Sequence, residues 1–365
     1  MRSVNRKERI SDIMKINKET DQESLQKRYQ EVIKRTQNLL EENREWAERY
    51  RGYYEALSSK SLKKIKKRVR VTEPLFKYTT ISNEVKTKRE IIILRYKGQE
   101  VGRIEEIGDD TYLQISEKTA KNNEKYFGNP EKNSIAIIGT PVKEKKWEGK
   151  ESQAFRKYFK EYDKEKMNNP EHMLESKFLT EISKNKSENK SLLYIQPIKV
   201  NKKRFQMPTP LKASTIKDNI NNLRYSGGHG GGIDILARRK KGNQSYITLI
   251  ELKDEFCNNE PPEKVMDQVI AYATFIRELV RNETANEKGS WYGMMGFTDD
   301  IESKPITIYC VVAMPNIEVN IDIDMFKNIF LYFNDNDPHA DDKLELHCIS
   351  ISGENDIKLI CNKSF

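Results

Sequence analysis

The chain has 365 residues, 36% hydrophobic and 33% charged, with 3 Trp, 17 Tyr, 13 Phe and a formal net charge of +9. At ~150 residues per domain this suggests about two folded domains rather than a disordered chain, since the aromatics are enough to pack cores. No apolar run reaches the ~18 residues of a membrane span, and MRSVNRKERISDIMK lacks the apolar core of a signal peptide, so a cytoplasmic location is expected. Cys257, Cys310, Cys348 and Cys361 form no CxxC pair, which argues against zinc, an iron–sulfur cluster or a disulfide framework and fits reduced thiols in a core.

The charge is unevenly spread. Residues 1–70 hold 20 Lys/Arg against 11 Asp/Glu, residues 184–245 hold 14 against 3, and residues 246–365 hold 10 against 22. A basic stretch beside an acidic body fits a polyanion-binding surface, and equally a set of solvated lysine-rich loops.

From the N-terminus, Leu25, Tyr29, Val32, Thr36, Leu39, Asn43, Trp46, Tyr50, Tyr53 and Leu57 recur at alternating steps of four and three. This heptad seam predicts a long helix over residues 1–70: a coiled coil that builds a homo-oligomer, or one helix lying on its own domain. KSLKKIKKRVR at 60–70 is a phosphate-contacting segment or a solvated helix end. Residues 89–116 alternate β-formers with turn signals at Lys97-Gly98 and Gly108-Asp109, so 71–145 is expected as a separate small β-rich module, with a further strand at 135–142. A charged connecting helix is expected within 146–167, over 147–166.

The last domain, 168–365, begins where Asn169 can cap a helix and Pro170 suits its first turn, with Leu174, Phe178 and Ile182 on one face. SLLYIQPIKV, GIDILARR and YITLIELK then read as strands, EKVMDQVIAYATFIRELV as a helix and ITIYCVVAM as a strand, giving the order αβββαβ. A helix over 322–333 and strands near 343–351 and 356–361 complete a mixed α/β sheet.

Two strands carry the chemistry. Gly242-Asn243 is a good two-residue hairpin turn, and the register it sets places Asp234 across from Glu251 with Cβ atoms about 5 Å apart. Strand alternation puts Lys253 on the same face. The apolar flanks Ile233, Ile235, Leu249 and Ile250 would desolvate the two carboxylates, which a divalent cation would neutralise; hard oxygen ligands suit Mg2+ or Mn2+. Just before Asp234, SGGHGGGIDIL holds five of the 17 glycines; with a strand after it rather than a helix, it does not fit a GxGxxG nucleotide loop. It offers instead a side-chain-poor approach for a phosphate backbone.

Ile233-Asp234, Glu251-Leu252-Lys253 and Gln268-Val-Ile-Ala-Tyr272 together resemble the PD-(D/E)xK superfamily of restriction-endonuclease-like nucleases, with the QxxxY motif of its RecB-like members. The resemblance covers roughly residues 168–315, and isoleucine stands where the family has proline. It implies a restriction-endonuclease-like core in which Asp234, Glu251 and the Leu252 main-chain carbonyl hold Mg2+ or Mn2+, Lys253 is the catalytic lysine, and Gln268 organises the site. The family's upstream helix often adds a glutamate, for which Glu175 is best placed, with Glu171 and Glu181 as rivals. Tyr272, His229, Gly230, Arg238 and Arg239 are the candidate substrate contacts.

These features lead to the expectation of a Mg-dependent endonuclease on DNA, double-stranded DNA favoured, serving restriction or anti-phage defence. A nuclease domain fused to an unrelated N-terminal module also looks similar to defence nucleases, including single-protein systems such as Shedu. The alternatives are an inert DNA-binding or assembly module of the same fold and a DNA repair or recombination nuclease.

Overall fold

A computed structural model describes residues 4–58, 75–81, 90–96, 99–107, 110–115, 149, 152–153, 155–157, 170–184, 190–200, 203–216, 219–227, 230–254, 260–282, 290–298, 301–302, 304–316, 324–334, 336–352, 357–361 and 365. The basic run 60–70, the strand expected at 135–142, the turns at Lys97-Gly98 and Gly108-Asp109, Asn169, His229 and Cys257 lie outside the described residues. Of the helix expected over 147–166, helical residues 152–153 and 155–157 are described.

Two helices open the chain, α1 (Val4–Glu42) and α2 (Glu45–Ser58), followed by strands β1 (Leu75–Ile81), β2 (Glu90–Tyr96), β3 (Gln99–Ile107) and β4 (Asp110–Ile115). Next come α3 (Pro170–Lys184) and the strands β5 (Ile195–Pro197), β6 (Lys199–Val200), β7 (Lys203–Phe205), β8 (Leu211–Lys212) and β9 (Arg224–Tyr225). The remainder is β10 (Ile235–Lys241), β11 (Gln244–Leu252), α4 (Pro262–Arg281), α5 (Trp291–Met294), β12 (Thr307–Pro315), β13 (Phe330–Tyr332), β14 (Lys343–Ser352) and β15 (Lys358–Cys361).

A mixed seven-stranded sheet in the order β13-β14-β12-β11-β10-β5, with β15 on β14, forms the centre of the C-terminal half. Strands β11, β12 and β14 are parallel, while β5, β10, β13 and β15 run against their neighbours. Along the chain α3, β5, β10, β11, α4 and β12 follow the expected αβββαβ order, with β6 to β9 inserted after β5. Alternation sends Ile235, Ala237, Ile250 and Leu252 to the face covered by Phe178, Leu179 and Ile182 of α3, and sends Leu236 and Leu249 to the face covered by α4. Helices thus pack on both faces.

The hairpin has the register read from its turn: Ile235 pairs with Ile250 and Arg238 with Ile247. Gly242 takes φ +61° while Asn243 stays at negative φ, as a II′ turn requires. Cys310 and Cys348 are buried and form no disulfide, and burial pushes the Cys310 thiol well up.

Of the two readings of the heptad seam the structure supports the helix lying on its own domain, and two other expectations are corrected. The heptad seam faces this chain's own core: Tyr29, Val32, Leu40, Trp46, Tyr50, Tyr53 and Leu57 are buried with α4 residues such as Phe275 and Ile276. Trp46 meets Phe275 edge-on at 5.8 Å and the Tyr29 hydroxyl donates to the Glu263 carbonyl at 2.9 Å, so no coiled-coil face is left on this stretch. The β-rich segment is no separate module, because β1 pairs in parallel with β7 to make one six-stranded sheet, β4-β3-β2-β1-β7-β6. In place of a helix over 322–333 there are turns at 324–328 and then β13, where Leu331 points in while Phe330 and Tyr332 point out, a period of two rather than 3.6.

Candidate active site

The antiparallel ladder between β10 and β11 ends at Ile235 and Ile250. Beyond that pair the first strand peels away, the Ile233 N–H going to the Met207 carbonyl at 3.3 Å. The Leu252 N–H, left without its ladder partner, donates instead to Asp234 Oδ2 at 3.1 Å. Asp234 therefore caps the end of its own hairpin and lies beside Glu251, which is 4% exposed.

This packing is costly for charge. Burial first, then the charges of Glu251 and Glu175, hold Asp234 well above the ordinary aspartate range, while Lys253 and the Leu252 N–H pull the other way. Burial also raises Glu251, opposed by Lys253. Lys253 Nζ sits 3.1 Å from Glu251 Oε1, 3.3 Å from Glu171 Oε1 and 3.8 Å from Glu260 Oε2. Burial lowers the Lys253 pKa, but Glu251, Asp234 and Glu171 outweigh it and hold the ammonium charged.

Helix α4 supplies the floor. Gln268 Nε2 donates to Glu251 Oε1 at 2.8 Å, and Tyr272 stands one turn further along the same face of α4. Burial, Glu251 and Asp234 raise the Tyr272 hydroxyl far above its ordinary value, so it stays protonated as a donor.

Helix α3 brings its first turns to the same end of the sheet. Of the three upstream glutamates, Glu171 reaches Lys253, whereas Glu181 pairs outward with Lys184 at 3.5 Å. Glu175 is buried and forms an ion pair with Arg95 of β2. Arg95 is a site residue that motif reasoning misses, since an arginine in the strand EIIILRY carries no signal of its destination.

The described part of the glycine approach, residues 230–232, is packed against its neighbours rather than open. The Thr209 N–H donates to the Gly231 carbonyl at 2.9 Å and the Gly231 N–H to the Leu211 carbonyl at 2.7 Å. A Cβ on Gly230 would sit 1.9 Å from the Thr209 carbonyl oxygen, and one on Gly231 would sit 2.1 Å from the Tyr272 hydroxyl. Glycine is therefore needed at both positions for close approach.

Arg238 and Arg239 lie further along β10, about 13–17 Å from Asp234 at ~3.4 Å per residue. Arg238 is bonded to Gln196 Oε1 at 3.0 Å. Arg239, 5% exposed, lies 3.9 Å over the Phe365 ring and donates to the Leu193 carbonyl, so packing rather than substrate occupies it.

Among the described residues no three His, Cys, Asp or Glu side chains form a ready-made metal cage. The donors present are two crowded, desolvated carboxylates, and Mg2+ is commonly held by one or two carboxylates with the rest of its shell water. The N–H and C=O of one strand residue point to the same side, so the Leu252 carbonyl also faces the Asp234 flank. The residues fit a hard divalent cation. No helix among the described residues is long and apolar enough to cross a membrane. Comparison with protein-family models, curated proteins and solved structures finds no match to this chain.

Proposed function

We propose that the chain is a metal-dependent nuclease of the PD-(D/E)xK, restriction-endonuclease-like kind, acting on DNA in restriction or anti-phage defence. One observation carries this: Asp234, Glu251 and Lys253 meet at the end of one hairpin, with Gln268 on Glu251 and Tyr272 beside it. The order α3-β5-β10-β11-α4-β12 supports the fold assignment. Exposed Lys199, Lys212, Arg224, Lys240 and Lys241 supply charge for a phosphate backbone, double-stranded DNA favoured.

Asp234, Glu251 and the Leu252 carbonyl would hold Mg2+ or Mn2+, which supplies Lewis acidity and a water of lowered pKa. Lys253, kept charged by its three carboxylates, stabilises negative charge on the phosphate or orients the attacking water. Gln268 fixes the Glu251 rotamer, and Tyr272 remains a neutral donor.

Incubation of the purified chain with plasmid and linear DNA, with Mg2+ and with Mn2+, tests the proposal. Cleavage that Asp234→Ala abolishes supports it. Intact DNA with both metals overturns it, and DNA binding without carboxylate-dependent metal binding points to the inert module.

A further inference from the structure

Five acids and two bases gather at this end of the sheet: Asp234, Glu251, Glu171, Glu175 and Glu260 with Lys253 and Arg95. Lys253 belongs to the hairpin of the site, whereas Arg95 comes from the other sheet. The pairing of β2 with β3 shifts register between Leu94 and Arg95, an irregularity of the kind that re-aims a side chain. Two residues earlier, Ile93 is 5% exposed and packs with Phe178, Leu179 and Ile182 of α3. Strand β2 is thus fixed against the very helix that carries Glu175.

The Arg95 and Glu175 side chains are only 11% and 7% exposed. A guanidinium in this position meets the same need as a divalent cation, since each neutralises carboxylates that burial has cut off from water. Glu175 stands one turn after Glu171 on α3, and Glu171 Oε1 lies 3.3 Å from Lys253 Nζ, so the pairing state of Glu175 bears on the carboxylate pair.

We infer that Arg95 is a positioning residue of the site that competes with the divalent metal for Glu175, holding this glutamate as a reserve ligand beside Asp234 and Glu251. This rests on the metal-dependent reading above. It makes the six-stranded sheet part of the active site and ties metal affinity to where β2 sits. Without Arg95, Glu175 loses one of its positive neighbours, and the local potential for a cation becomes more negative.

Calorimetric titration of Mn2+ into the full chain, without DNA, tests this. R95Q is expected to bind Mn2+ about tenfold tighter than the parent, and the gain is expected to vanish when R95Q is combined with E175Q. R95K keeps a charge without the guanidinium fork, so it guards against misfolding of R95Q and is expected to tighten binding severalfold. Folded R95Q or R95K that binds no tighter than the parent overturns the inference, as does a gain that survives E175Q. D234N separates the two claims. If the parent shows no Mn2+ binding sensitive to D234N, both fall; if such binding exists but ignores Arg95, this inference alone falls.

Discussion

Leu252 donates its backbone N–H to Asp234 Oδ2 at 3.1 Å, so one carboxylate both ends the hairpin and enters the proposed metal site. Asp234→Asn can keep this bond while removing a charge that burial disfavours. The folded pKa of Asp234 lies above its unfolded value. Its contribution to stability is therefore full below the unfolded pKa and is lost as pH rises through the folded one. In chelator, D234N is expected to melt higher than the parent, by about 2–4 °C for each kcal/mol of relieved strain, with the gap widening from pH 5 to pH 8. With Mn2+ the order reverses, because only the parent gains binding energy. Thermal melts at both pH values check this, and a parent more stable than D234N in chelator contradicts it.

The glycines separate folding from site geometry. A Cβ at Gly230 meets backbone at 1.9 Å, and backbone cannot step aside, so Gly230→Ala is expected to cost about 3 kcal/mol or more. Gly231→Ala instead strikes the Tyr272 hydroxyl, a side-chain tip. It should cost about 1–2 kcal/mol yet lower the proposed nuclease activity at least tenfold. Gly232→Ala meets the Gln206 amide at 3.1 Å, the end of a flexible side chain, and should be near neutral. Urea midpoints set beside cleavage rates give the three-way order; equal loss in all three disproves it.

Local sequence carried the hairpin, because a glycine turn fixes register and register fixes which carboxylates meet. It also carried α4, whose Gln268 and Tyr272 stand one turn apart on the face toward Glu251. It could not carry the union of β1 with β7, where Tyr78 pairs with Arg204 across more than a hundred residues, since parallel pairing leaves no local trace. The same gap hid Arg95, whose partner is chosen by that union. The seam of α1 and α2 was visible, but a heptad stripe reports only that something apolar covers it. Here α4 does.

That cover has a measurable consequence. Tyr50 is 2% exposed, packs against Phe275 at 5.0 Å and donates to the Pro208 carbonyl at 2.6 Å. Tyr50→Ala is therefore expected to destabilise the chain by about 3–5 kcal/mol. Whatever mass the parent has in sedimentation, the folded variant should keep it. A change of mass with little loss of stability would return the seam to an intermolecular role.

Arg28 of α1 reaches across to Asp267 of α4, its Nε 3.1 and 3.0 Å from the two carboxylate oxygens. Burial pushes Asp267 up to about 6 even though Arg28 pulls it down, and its side chain is 1% exposed. Since the folded pKa exceeds the unfolded one, the stability linked to Asp267 is present at low pH and lost as pH rises through about 6. Arg28→Ala strips the partner from a buried carboxylate. Arg28 itself is 38% exposed, so water softens the loss, and a cost on the order of 1–3 kcal/mol is expected rather than the full value of a buried pair. The cost should be smaller at pH 5, where a carboxyl freed of Arg28 takes up a proton, than at pH 8, where it stays charged. Asp267 directly precedes Gln268, so the same variant should also slow cleavage by loosening the grip on Glu251. Urea denaturation at the two pH values gives the sign, and a cost that is equal at both, or greater at pH 5, refutes it.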